Sequence, residues 1–331
     1  MNHDNAFQLY AGDGSTIGKR GLRVPPFERI ESLYDPAFYI AEKGLKDAVN
    51  VALTLGQPLL VTGEPGTGKT QLAASIAYEL ELPPPLEFHT KTTSTAKDLF
   101  YRYDALAHFH DSQFHKEGVP VEEYITYEAL GLAILLAMEP GDADPHLRPE
   151  LRGKGPMRSL VLVDEIDKAP RDLPNDVLNE VEHLRFTVKE TGRTLSVQQH
   201  YRPILVFTSN SEKNLPDAFL RRCVFYHISF PDRLRLREIV QGRLKLGAAF
   251  TPAMLDNAIG RFEEIRELAL KKKPATAEFL AWVRVLEKIQ LDVGQIKPGE
   301  EETLAFTYSL LAKNKEDREL LFKTLVENRA L

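Results

Sequence analysis

Apolar residues along the chain follow two rhythms, and the change between them falls near residue 231. Before it, short apolar runs alternate with longer stretches at helical spacing. PLLVT (58–62), LEFHT (86–90), SLVLVDEID (159–167), PILVFTSN (203–210) and VFYHISF (224–230) read as strands. Short runs apolar on both faces suit strands buried in a parallel sheet. Residues 41–56 carry helical spacing and end on Gly56, a C-cap residue. TQLAASIAYELEL (70–82) predicts a second helix, stopped by Pro83, Pro84 and Pro85. NDVLNEVEHL (175–184) predicts another helix. FTVKETGRTLSV (186–197) alternates on both sides of Thr191-Gly192 and predicts a hairpin.

Strands alternating with helices imply a parallel sheet covered on both faces. Residues 91–158 break the rhythm. They hold a polar stretch rich in aromatics and histidines, an apolar helix at about 123–138, and a loop of Pro, Asp and Gly. Beyond Pro231, helical periodicity covers 232–246, 252–270, 275–290, 301–314 and 316–328, with no strand pattern. The expected organisation is a loose arm over 1–27, an α/β core over 28–231 and an all-helical domain over 232–331. Within the core, an insert is expected at about 91–158 and a hairpin at about 186–202.

Composition narrows the class. A chain of 331 residues, 43% hydrophobic and 27% charged, has room for two globular cores. The net charge of −6 argues against coating nucleic acid by bulk charge, while leaving room for a local basic channel. One cysteine, Cys223, permits no intramolecular disulfide and fits a reducing compartment. The N-terminus carries no basic region followed by an apolar stretch. ALGLAILLAM (129–138) is too short to span a bilayer. The expectation is a cytoplasmic protein with no membrane partner.

GEPGTGKT (63–70) stands between a predicted strand and a predicted helix, which is the context a phosphate-binding loop needs. Gly63, Gly66 and Gly68 permit a tight loop through Glu64, Pro65 and Thr67. Its backbone N–H groups then converge on phosphate oxygens, aided by the helix N-terminus that continues into Gln71. Lys69 is placed to reach the β- and γ-phosphates, and Thr70 to give its hydroxyl to Mg²⁺. Asp164 and Glu165 end a buried strand, where open α/β sheets bind ligands. Asp164 suits the Mg²⁺, and Glu165 suits polarising an attacking water. PILVFTSN repeats this logic, ending in Thr208, Ser209 and Asn210. Asn210 reads either as a group aimed at the γ-phosphate or as an Asx-turn.

These residues resemble the AAA+ ATPases over about 25–290. GEPGTGKT resembles Walker A, LVLVDEID Walker B, and FTSN sensor 1. Within that class the chain is similar to the MoxR-type group, particularly its CoxD-like members. The stretches that carry this are AVNVALTLGQPLLVTGEPGTGKT (48–70), VDEIDKAPRDLPNDVLNEVE (163–182) and TSNSEKNLPDAFLRRCVFYHISFPD (208–232). The resemblance implies a five-stranded αβα core, a helical lid, a ring that is usually hexameric, and ATP-driven remodelling of a protein partner. That partner usually carries a von Willebrand factor A domain. It also implies Walker A roles for Lys69 and Thr70, Mg²⁺ at Asp164, the catalytic base at Glu165 and sensor 1 at Asn210. Arg221 or Arg222 matches the arginine finger, supplied in trans to a neighbour. The segment from Asp35 to Lys43 corresponds to the adenine pocket, with Tyr39 and Ile40 its matched residues. One departure is clear: Thr276 stands near the place of the sensor 2 arginine, and Lys271–Lys273 lie on the other side of Pro274.

Two other readings stay open at this point, a nucleic-acid motor or loader and a slow nucleotide-gated scaffold. His108, His110 and His115, with Asp104 and Asp111, form a conceivable metal cluster, but a solvated insert explains them as well. Cys223 reads as a small buried hydrophobe, and Trp282, spaced with Phe279 and Leu286, as helical core.

Overall fold

The computed structural model describes residues 35–114, 119–212 and 215–325. The expected arm over 1–27 lies outside these residues, as does His115. The described residues form two compact units, one of Tyr39–Ser229 and one of residues 230–325 together with 35–38.

The first unit runs through α1 (Lys43–Leu55), β1 (Leu59–Gly63), α2 (Lys69–Glu79), β2 (Leu86–His89), β3 (Tyr101–Tyr103), α3 (Ala105–Phe114), β4 (Ile125–Tyr127), α4 (Ala129–Leu136), α5 (Pro140–Ala143) and β5 (Leu160–Asp164). It continues through α6 (Leu173–Asp176), α7 (Leu178–His183), β6 (Arg185–Val188), β7 (Arg193–Ser196), β8 (Ile204–Ser209), α8 (Asp217–Leu220) and β9 (Val224–Ile228). Five of these strands form one parallel sheet in the order β2-β5-β8-β1-β9. Its core strands are buried on both faces, and the two faces meet different layers. Leu59, Val61, Leu160, Leu162 and Val206 pack with α1 and α2. Leu60, Val161, Val163, Leu205 and Phe207 pack toward α4. All parallel strands therefore end at one edge, where βα loops gather.

Several elements differ from the sequence expectation. Helix α2 stops at Glu79, ahead of the proline triplet, and Glu81 takes a left-handed φ of 54°. The helix expected at 175–184 is two short ones, α6 and α7, ended by Leu184 at φ 47°. The stretch 91–158 divides in two. β3 and β4 pair as an antiparallel ribbon, with α3 between them in the chain. The helix expected at about 123–138 begins only at Ala129, because Ile125-Thr126-Tyr127 pairs as a strand. That helix, α4, joins the sheet's covering layer: it is apolar all round and almost wholly buried, as such a helix must be. Gly131 permits its close approach, since a Cβ there would lie 1.9 Å from the Phe100 carbonyl oxygen. The hairpin β6–β7 turns through Gly192 at φ 69°.

The second unit is helical among the described residues: α9 (Arg233–Arg243), α10 (Pro252–Glu267), α11 (Thr276–Ile289), α12 (Glu301–Thr307) and α13 (Lys315–Leu325). Phe262, Phe279, Trp282 and Tyr308 form its centre, with Phe262 and Phe279 ring centroids 4.5 Å apart. Trp282 is fully buried and its indole N–H donates to Thr307 Oγ1 at 2.9 Å. No helix among the described residues is long and apolar enough to cross a membrane.

Candidate functional site

The loop after β1 runs from Gly63 through Glu64, Pro65, Gly66 and Thr67 to Gly68, the N-cap of α2. Two glycines are required by geometry. A Cβ on Gly63 would lie 2.6 Å from the Ile228 carbonyl oxygen, and Gly68 sits at φ 89° with the Tyr39 ring 3.2 Å from its Cβ position. Tyr39 therefore packs on the loop itself, while its neighbour Ile40 is exposed. Thr67 donates to the Glu64 carbonyl at 2.9 Å, closing the loop. Thr70 and Gln71 follow in the first turn of α2, an end where unpaired backbone N–H groups and the helix dipole favour an anion.

Lys69 opens α2, yet it is buried and its ammonium turns back into the loop. It donates to the carbonyls of Gly63 at 2.8 Å and Glu64 at 2.9 Å, and to Asn210 Oδ1 at 3.0 Å. Burial lowers its pKa from the ordinary lysine value, opposed by the carboxylates of Asp164, Asp167, Glu165 and Glu64. Asn210 reaches this point because β8 lies between β1 and β5. Its backbone N–H donates to Asp167 Oδ1 at 3.3 Å.

Asp164 ends β5 beside the same loop. Thr70 Oγ1 donates toward its two carboxylate oxygens at 3.2 and 3.3 Å. A hydroxyl and a carboxylate this close are the hard oxygen donors that Mg²⁺ takes, and one or two protein ligands suffice when phosphates and water complete the shell. The donor set therefore fits Mg²⁺. Glu165 turns away from Asp164 through a left-handed backbone, φ 56° and ψ 49°. Its carboxylate accepts from the Lys168 ammonium, and that bond raises the Lys168 pKa.

Sequence reasoning missed His89 altogether, and it named Thr208 at a polar strand end without linking it to Asp164. His89, paired with it in register across β2 and β5, brings Nδ1 to 3.6 Å from Asp164 Oδ2. Thr208, fully buried on β8, donates to Asp164 Oδ1 and accepts the Glu165 N–H at 2.9 Å. The only local signal for either was polarity at the end of an apolar strand.

Arg221 and Arg222 are not brought to this cluster. They precede β9, whose first residue, Val224, pairs with Leu59 at the start of β1. The phosphate loop follows the other end of that ladder, where Gly63 pairs with Ile228. Four residue steps at roughly 3.3 Å each separate the two ends of the ladder by about 13 Å. Both arginines are exposed. Arg222 is tethered to Glu182 Oε2 at 3.3 Å and to the Ala218 carbonyl at 3.3 Å. The Arg221 guanidinium has no partner among the described residues.

The features set aside in the sequence resolve locally. His108 bonds the Tyr103 hydroxyl at 2.6 Å and the Val119 carbonyl at 3.1 Å, and His110 pairs with Asp111. Among the described residues, no three His, Cys, Asp or Glu side chains are grouped to hold a metal. Cys223 is half-buried rather than buried, packed against the sheet's core, and desolvation pushes its thiol up to about 12. Thr276 begins α11 as a buried residue. Lys271 and Lys272 give their backbone N–H groups to the Asp317 carboxylate, and the Lys271 ammonium pairs with Glu316. An open cavity of about 550 Å³ lies by the hairpin, lined by Met138, His146, Arg193 and Gln198 among others, and holds none of the predicted site residues.

Residues 58–223 match the family model of the AAA domain, dynein-related subfamily. Solved structures similar to the chain include a RuvB point mutant of Thermotoga maritima, 17% identical over 88% of this chain and 78% of that one, with a TM-score of 0.46. A second is the Thermotoga maritima RuvB Holliday junction branch migration motor, 17% identical over 87% of this chain and 75% of that one, with a TM-score of 0.43. No curated protein matches the chain.

Proposed function

The chain belongs to the AAA domain family, in its dynein-related subfamily, and from that premise we propose that it is a Mg²⁺-dependent ATP hydrolase of the MoxR type. It works as a ring, with the hexamer as the family's usual form, and remodels a protein partner that carries a von Willebrand factor A domain. The observation that carries the hydrolase reading is the meeting of Lys69, Thr70, Asp164 and Asn210 at one end of one parallel sheet; the MoxR type, the ring and the partner rest on the sequence resemblance alone.

We assign the division of labour as follows, with that placement and the sequence resemblance as its support. The backbone of 63–70 and the N-terminus of α2 cradle the phosphates, and Tyr39 and Ile40 border the base. Lys69 moves its ammonium from loop carbonyls to phosphate oxygens. Thr70 and Asp164 would hold Mg²⁺, which would supply neutralisation of phosphate charge when bound. Glu165 leaves Lys168 to orient and deprotonate the attacking water, and Asn210 fixes that water or the γ-phosphate. Phosphoryl transfer needs positioning and charge neutralisation more than covalent chemistry, and these groups supply both.

Arg221 completes the site of the next subunit. Its end of the sheet is the wrong one for its own phosphates, and it is the arginine of the pair without a tether. Guanidinium suits the task because it is planar, always charged and bidentate toward phosphate. The test is phosphate release by the purified chain with Mg²⁺, alone and with mixed variants. Arg221→Ala and Lys69→Ala are each inactive, and mixing them restores activity at mixed interfaces. A mixture that never recovers, beside an Arg221→Ala protein that hydrolyses normally, sinks the trans assignment. Capture of partners with Glu165→Gln tests the MoxR assignment. Salt-sensitive DNA binding with DNA-stimulated hydrolysis would replace it with the motor reading.

A further inference from the structure

We propose that Thr208 is a positioning residue that sets both acidic residues of the site, and thereby couples divalent-cation binding to nucleotide binding. The inference rests on the Mg²⁺–ATP reading above.

Thr208 lies on β8, in a run that is otherwise Ile204, Leu205, Val206 and Phe207 before it. Its side chain is fully buried. A hydroxyl has one proton and two lone pairs, and here both functions are used on two consecutive residues, the last of β5 and the one that follows it. The proton goes to Asp164 Oδ1, and a lone pair takes the Glu165 N–H at 2.9 Å. Packing alone does not call for the oxygen. Valine has the same shape and is better suited to an apolar strand interior.

The two bonds act on the two chemical roles separately. The bond to Asp164 fixes the rotamer of the carboxylate that Thr70 approaches at 3.2 and 3.3 Å. Without it, that side chain is free to turn toward His89, whose Nδ1 already stands 3.6 Å from Oδ2. The bond from Glu165 anchors a non-glycine residue at φ 56°. Such backbone persists only where surrounding contacts over-determine it. That left-handed turn is what separates the Glu165 carboxylate from the Asp164 one. One hydroxyl thus holds the metal-binding acid in place and keeps the water-activating acid apart from it. Partners of this kind tune a metal site as strongly as some direct ligands.

The experiment compares the full-length wild type with Thr208→Val and Thr208→Ser. A fluorescent ATP analogue is titrated in EDTA and again in excess Mg²⁺, and the ratio of affinities measures the metal's contribution. Turnover and melting temperature are recorded alongside. In Thr208→Val the EDTA affinity stays within about twofold of wild type, while the Mg²⁺ enhancement and the turnover each fall about 10- to 100-fold. Thr208→Ser keeps both, because it keeps the hydroxyl. Should Thr208→Val fold poorly, Thr208→Ala removes the same oxygen and carries the same expectation. Full Mg²⁺ enhancement in a folded variant lacking the hydroxyl overturns the proposal, as does a serine variant that behaves like valine. A loss of EDTA affinity equal to the loss in Mg²⁺ overturns it too, since the role would then be general. A wild type with no Mg²⁺ enhancement at all refutes the underlying Mg²⁺–ATP reading instead.

Discussion

The two ends of the parallel sheet differ in how their polar groups are satisfied. At the end that follows the strands, the groups bond to one another: Lys69 to Asn210, Thr70 to Asp164, Asp164 and the Glu165 N–H to Thr208. At the end that precedes them, two adjacent exposed arginines behave unlike each other. Arg222 is tied to Glu182 and a helix carbonyl, whereas the Arg221 guanidinium has no bond to a described residue. Bond patterns thus separate residues of identical type and nearly identical position, and the trans role proposed for Arg221 rests on that difference.

The sharpest way to break this contrast is Arg221→Ala. Its turnover should fall about 10³- to 10⁵-fold, the scale of a missing arginine finger, with ATP binding retained in an equilibrium titration. Equal losses from Arg221→Ala and Arg222→Ala would erase the distinction between them. Glu165→Gln should lose about 10²- to 10⁴-fold in turnover by single-turnover phosphate release, again with ATP still bound. Normal hydrolysis by that variant would remove Glu165 from the chemistry. Lys69→Ala should weaken ATP binding about 10- to 100-fold, as expected for charged hydrogen bonds to phosphate. The smallest effect belongs to Glu182→Ala. An exposed ion pair is worth about 0–1 kcal/mol, so urea unfolding should shift little and turnover should be unchanged. A large loss of turnover there would mean the tether on Arg222 is functional.

Much of this was legible in the chain because it is written locally. Apolar runs mark the five sheet strands, and the spacing of Gly63, Gly66, Gly68, Lys69 and Thr70 marks the loop. Other parts depend on residues far apart in sequence. Thr208 matters only because β8 lies against β5, some forty residues away along the chain. Which arginine is tethered depends on Glu182, on a helix forty positions earlier. His89 reaches Asp164 by register alone. Helix α4 could have been placed correctly. Its apolar residues circle the whole helix, and such a helix belongs under a sheet rather than in an exposed insert. The break between α6 and α7 at Val177 has no local cause we can name.

The burial of Trp282 has a practical corollary. It is the only tryptophan among 331 residues, and it lies at the centre of the helical unit with its N–H held by Thr307. Indole emission is therefore a built-in dye for that unit alone. The α/β unit has no tryptophan, so excitation that spares tyrosine leaves it dark. A red shift on heating dates the melting of the helical unit, and a shift on adding ATP reports that nucleotide bound in one unit has been sensed in the other.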